Sequence, residues 1–237
     1  MPPYYNVNRM KGKGRGCGKI ILFNEHFVVY GIPAIASSID KYAEAEVADS
    51  DDIEIFDERI NLKNEDMELK VLEAIASKMG IDLHERPVKV RLKGDIPLGS
   101  GLGASAATCV AIARALSDHF NLGLSEEEIN SVAYEGEKIY HGNPSGIDNT
   151  VATFGGVIWF ERGGRIEKIW IKKPLYIIIG NTGIKASTRE AIEKVRQKRE
   201  KDPKNFEKLL NEAMNLAYDA RRYIEEGRLK KIGELMN

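Results

Sequence analysis

Cysteine is scarce: Cys17 and Cys109 are the only two in 237 residues. That excludes a disulfide framework and a cysteine-rich metal site. Two isolated thiols suit a reducing cytoplasm. Long apolar runs are missing too. Nothing approaches the ~18 consecutive apolar residues of a membrane-spanning helix, so no membrane partner is expected. The opening Met1-Pro2-Pro3-Tyr4-Tyr5-Asn6 has no apolar signal core, and the expectation is a cytoplasmic protein. Neither sign of charge prevails, with Lys+Arg 35 against Asp+Glu 36 and a net charge of -1. Nucleic acid is therefore not an expected partner. Internal repeats and low-complexity segments are absent. What remains, 43% hydrophobic and 30% charged residues, is the composition of a globular protein with ample core, as one large domain or two modest ones.

The most informative stretch is Pro97-Leu98-Gly99-Ser100-Gly101-Leu102-Gly103-Ala104-Ser105-Ala106-Ala107. Val88 to Leu92 before it alternates apolar and polar residues, the pattern of a half-buried strand. Ala107 to Phe120 after it is apolar and Ala-rich, the pattern of a buried helix containing Cys109 as a small apolar residue. Glycines at a strand-to-helix junction let backbone N–H groups turn toward one point. A helix N-terminus adds free donors and partial positive charge. The combination is an anion cradle suited to phosphate. Ser105, in the first helical turn, could reach a phosphate or its metal. It is not a Walker A loop, since no Gly-Lys-Ser/Thr follows, and it lacks the acidic strand end of a dinucleotide fingerprint. A tight turn that serves only packing is the plainer alternative.

Along the chain, residues 1–16 read as a flexible basic lead-in, with Cys17 in a glycine-rich setting. Lys19 to Phe23 is a buried strand. Asn24-Glu25-His26 then interrupts two apolar runs, and polar groups so placed need partners or face a cleft. Ala34–Ile39, Ala43–Val47 and Ile53–Phe56 read as strands, with a turn at 49–52. Glu65 to Met79 has helical spacing and ends at Gly80. Ser125 with Glu128 forms a capping box that opens a helix to about Tyr140. The loop after His141, Gly142-Asn143-Pro144-Ser145-Gly146-Ile147-Asp148-Asn149, must be shaped by its glycines and proline. By itself Asp148 fits a turn residue or helix N-cap. A hairpin follows around Arg162-Gly163-Gly164, then a buried strand at Leu175–Gly180. Ser187 with Glu190 caps a helix to about Glu200, and a long amphipathic helix spans about Asn205 to Glu226. Lys230 to Asn237 looks like the start of another helix, whose Ile232, Leu235 and Met236 are expected to lie uncovered.

Three segments together resemble one family. Gly18-Lys19-Ile-Ile-Leu-Phe-Asn24-Glu25-His26-Phe-Val-Val-Tyr-Gly31, the glycine stretch, and His141-Gly-Asn-Pro-Ser-Gly-Ile-Asp148-Asn are similar to the GHMP small-molecule kinases, and within them to the mevalonate kinases. The resemblance implies an α+β fold of two domains, 1–152 carrying the ATP loop and 153–237 forming part of the second. It implies ATP and Mg2+ as cofactors, mevalonate as substrate, and allows a homodimer. Asp148 would be the catalytic carboxylate and Lys19 its partner. Ser105 and Glu137 would hold magnesium. The ATP phosphates would be wrapped by Pro97, Gly99, Ser100, Gly101, Leu102, Gly103, Ala104 and Ser105. Glu25, His26 and Thr188 would line the substrate pocket. Phosphoryl transfer needs such positioning and charge rather than covalent work by the protein.

The sequence departs from the family pattern in three places. Asn24 stands where glycine is usual, so the turn before Glu25 and His26 is expected to be crowded or re-aimed. Ala104 stands where the first of two serines is usual. The third glycine-rich motif of the family is absent, which leads to the expectation of an incomplete C-terminal domain. Two other functions stay open on these residues. One is another GHMP kinase, such as a phosphomevalonate or homoserine kinase. The other is a non-catalytic family fragment acting as a binding module.

Overall fold

A computed structural model describes residues 12–60, 62–63, 66–180 and 188–237, with the side chains of 62, 63, 188–190 and 192 outside that range. The strands are β1 (Gly12–Phe23), β2 (Ala34–Asp49), β3 (Glu54–Asp57), β4 (Leu62–Lys63), β5 (Val88–Gly94), β6 (Val157–Phe160) and β7 (Ile166–Ile169). The helices are α1 (Asp66–Lys78), α2 (Ala104–His119), α3 (Glu126–His141), α4 (Ile147–Phe154), α5 (Thr188–Lys201), α6 (Pro203–Glu226) and α7 (Leu229–Leu235). A 3-10 turn, Phe27–Tyr30, follows β1. The mixture is the expected α+β class.

The chain forms two compact units, one from Met1–Gly16, Lys41–Ile96 and Ser105–Pro144, the other from Cys17–Asp40, Pro97–Ala104 and Ser145–Asn237. Strands β1 and β2 and the run into α2 each pass from one unit to the other. The two strands expected at 34–39 and 43–47 are one 16-residue strand, β2.

In the first unit, β3 runs parallel to β5 and antiparallel to β4, and β5 runs antiparallel to β2 from Ala43↔Gly94 to Asp49↔Val88. Val88, Val90 and Leu92 of β5 are buried while Lys89 and Arg91 face outward. That is the alternation of a strand with one core face. Helix α1 packs on α3. Gly136 of α3 makes room there, since a Cβ would lie 2.7 Å from Cys109 Sγ and 3.0 Å from Ile75. The lead-in expected to be flexible is strand from Gly12 onward. Its Gly12, Gly14 and Gly16 lie flat on α2, where a Cβ at each would fall on the carbonyl oxygens of Ala115, Ala111 and Ala107 respectively. Period two on the strand meets period four on the helix.

In the second unit, β6 pairs antiparallel with β2 from Ala34↔Phe160 to Ser37↔Val157, and with β7. One apolar cluster gathers Phe23, Ile35, Trp159, Ala217, Ile224 and Ile232, which brings in α6 and α7. Another gathers Val28, Ala34, Val151, Ile158 and Phe160 around α4. Each large side chain buried this way contributes about 1.5–3 kcal/mol. Helix α7 therefore has a partner after all. Ile232 is 4% exposed and Leu235 packs beside it, leaving Met236 at the surface. The strand expected at Leu175–Gly180 is not one. No strand pairs with it among the described residues, and Tyr176 and Ile178 are 90% and 99% exposed. A β-prone run without a neighbour gains no ladder hydrogen bonds. The capping residue Ser187 lies outside the described residues.

Candidate active site

Within the second unit, Lys19 is the best buried cation of β1, 5% exposed. Its ammonium lies 3.1 Å from Asp148 Oδ1. The two residues stand more than a hundred positions apart in the chain, yet they form one pair. Asp148 occupies the first turn of α4, where the helix N-terminus favours a negative charge. The N-cap is Gly146, with φ +90°, so Asp148 is not the cap residue that the isolated motif allowed.

The glycine stretch lies in the same unit. Gly99, Gly101 and Gly103 have φ of +70°, +77° and +75°, a conformation that lets the intervening N–H groups form an anion-binding concavity. The Ser100 hydroxyl donates to Pro97 O at 2.6 Å and pins the turn. The Lys19 amide donates to Leu102 O at 2.9 Å. At Gly103 a Cβ would come within 2.7 Å of Lys19 Cγ, while at Gly101 it would meet nothing within 4 Å. Gly103 thus serves both the loop and the lysine. Helix α2 starts at Ala104, three residues earlier than expected, so Ser105 lies in its first turn.

A second group of polar residues lies in the first unit. Ser105 Oγ is 3.0 Å from His141 Nε2, and that same nitrogen is 3.9 Å from Glu137 Oε1. Glu137 is 1% exposed, one helical turn before His141 on α3. Burial, aided by the Glu137 charge, raises the Cys109 thiol well above its ordinary value. Tyr134 donates to Pro144 O at 3.1 Å and holds the following loop. The motif spacing pointed to neither His141 nor Tyr134 as a contact. For His141 the signal was its position four residues after Glu137 on a helix.

Glu25 is exposed and His26 partly buried at the head of the 3-10 turn. Among the described residues, no hydrogen bond joins either to Lys19 or Asp148. Asn24 adopts φ +67°, the left-handed region that suits glycine or asparagine. Its amide donates to Pro33 O at 2.8 Å and Ala213 O at 2.9 Å. The turn is anchored by this side chain rather than crowded by it. Thr188 opens α5, its side chain outside the described range.

Residues 67–156 match the model of the GHMP kinases N terminal domain. The mevalonate kinase of Pyrococcus abyssi is 36% identical over 245 residues, spanning 92% of this chain and 72% of that protein. The mevalonate kinase of Thermococcus sibiricus is 35% identical, spanning 92% and 73%. The chain belongs to the mevalonate kinase family. In structure it resembles the L. major mevalonate kinase solved with R-mevalonate, with TM-score 0.87 and 34% identity over 97% of this chain and 74% of that one. Membership in this kinase family implies use of ATP. No described helix is long and apolar enough to cross a membrane.

The donor set also bears on magnesium, the ion that mevalonate kinase family resemblance implies. Ser105 and Glu137 offer hard oxygen atoms within 4 Å of one imidazole nitrogen. Among the described residues no group of three or more His, Cys, Asp or Glu could hold a metal unaided. Mg2+ needs no such cage, because one or two protein oxygens suffice when phosphates and water complete its shell. The residues fit the ion.

Proposed function

We propose that this protein transfers the γ-phosphoryl group of ATP to the 5-hydroxyl of mevalonate. The observation that carries the reading is the Lys19–Asp148 pair at 3.1 Å, in a chain of this family. Asp148 accepts the hydroxyl proton as the new O–P bond forms and the bond from phosphorus to ADP breaks. Lys19 orients that carboxylate and balances charge beside it. The backbone N–H groups from Gly99 to Ala104, with Pro97 and Ser100 shaping the turn, receive phosphate oxygens. Ser105 and Glu137 would hold Mg2+, which neutralises charge on the phosphates. Glu25, His26 and Thr188 would bind the acceptor. Cys17 and Cys109, neither of them in a disulfide, suit a cytoplasmic enzyme.

The test is a coupled ADP-release assay across mevalonate, phosphomevalonate and homoserine. Mevalonate should give the highest kcat/KM. A better turnover with either rival would reassign the substrate.

A further inference from the structure

We infer that His141 is a positioning residue for the metal-holding oxygens, one that sets how Ser105 and Glu137 present themselves to a divalent cation. The inference rests on the proposed roles of those two residues. The imidazole Nε2 is 3.0 Å from Ser105 Oγ and 3.9 Å from Glu137 Oε1. One ring nitrogen thus stands against both oxygens, which come from different helices of one unit.

The chemistry gives this contact a direction. A serine hydroxyl that binds a cation does so through oxygen lone pairs, so its proton must point elsewhere. It then needs an acceptor. The imidazole nitrogen at 3.0 Å is such an acceptor when the ring carries its proton on Nδ1. A ligand held this way by an outer hydrogen bond is fixed in rotamer and made a better donor to the metal. Glu137 is held differently. Its side chain is only 2% exposed, while that of His141, one turn on, is 49% exposed. The better-exposed ring thus reaches a carboxylate oxygen that is itself covered. Because His141 is the last residue of α3 and half exposed, its replacement leaves the helix core intact.

The contact can be read without turnover. Mn2+ binding is followed by electron paramagnetic resonance in the presence of a saturating non-hydrolysable ATP analogue, using the whole chain. His141→Ala and His141→Phe should each weaken Mn2+ binding by roughly 10- to 100-fold, the usual effect of losing an outer-sphere partner. Metal-free melting temperatures should match wild type. His141→Gln, whose amide oxygen can take the serine proton, should recover most of the affinity. Ser105→Ala and Glu137→Gln serve as references. If they weaken Mn2+ binding and His141→Ala does not, the inference is wrong while the metal reading stands. If Gln is as damaging as Ala, an acceptor is not what matters and the inference is again wrong. Were neither reference variant to change Mn2+ affinity, the metal assignment and the inference would fall together.

Discussion

Lys19 Nζ and Asp148 Oδ1 lie 3.1 Å apart, with the lysine side chain 6% and the aspartate 28% exposed. A cation this well covered is kept by its counter-charge, and a carboxylate left partly open can still meet a reactant. If Asp148 takes the acceptor proton, Asp148→Asn should lower kcat by ~10^2 to 10^4. Affinities for ATP and mevalonate should change little, since the loss falls on the transition state. Steady-state kinetics with direct binding measurements checks this. Lys19→Met should also lower kcat, and the double variant should lose far less than the product of the two single losses. Additive effects would separate the two residues.

Gly103 makes a second prediction. Alanine there is strained by φ +75° and drives its Cβ to within 2.7 Å of Lys19 Cγ. The lysine stem can yield, but its ammonium then leaves Asp148. Gly103→Ala should reduce kcat by about 10^2, as expected for a misplacement near 1 Å. Gly101→Ala has the strain without the collision, so its effect should fall mainly on ATP affinity. Equal kcat losses in the two variants would show that crowding of Lys19 is unimportant.

Much of this was legible in the sequence because it lay in short-range signals. The glycines of 99–103, the capping box of Ser125 and Glu128, and the alternation of β5 all carry local conformational demands. The capping box is formed in both directions, with Glu128 N donating to Ser125 Oγ and Ser125 N donating to Glu128 Oε2. What could not be read depends on partners far along the chain. Leu175–Gly180 has the composition of a strand, but composition does not supply a neighbour. Ile232 looked uncovered because the apolar cluster it joins includes Phe23 and Ile35, about two hundred positions away. Asn24 looked like a misfit because its hydrogen-bond acceptor Ala213 O is equally distant.

The third prediction concerns Gly14, whose Cβ would fall on the Ala111 carbonyl oxygen. Backbone cannot step aside as a side-chain tip can. Gly14→Ala should cost roughly 1–3 kcal/mol, the range for overpacking, and lower Tm by several degrees. Differential scanning calorimetry decides it. A Tm equal to wild type would mean that β1 and α2 are not in backbone contact.

The fourth uses the cysteines. Cys109 is fully buried, and burial raises its thiol well above the ordinary range, so little thiolate exists at pH 8. Only the thiolate reacts. Iodoacetamide on the native protein should label Cys17 alone, and both residues after denaturation. Peptide mass spectrometry reads the difference. Native labelling of Cys109 would contradict its burial against α3.

The seam of Gly12, Gly14 and Gly16 with Ala107, Ala111 and Ala115 has a mechanical meaning. None of these residues has a χ torsion that could move heavy atoms, so the seam contains no rotamers to freeze when it forms and none to hop afterward. A core packed with leucine can absorb a disturbance by switching side-chain wells. This one is mostly backbone against backbone, with the Cβ atoms of Arg114 and His119 beside it, so a displacement finds few side-chain wells to relax into. Ser105 stands two residues before Ala107 on the same helix. Its hydroxyl is therefore mounted on a rod clamped along its length, and its placement owes its sharpness to residues with almost no side chain.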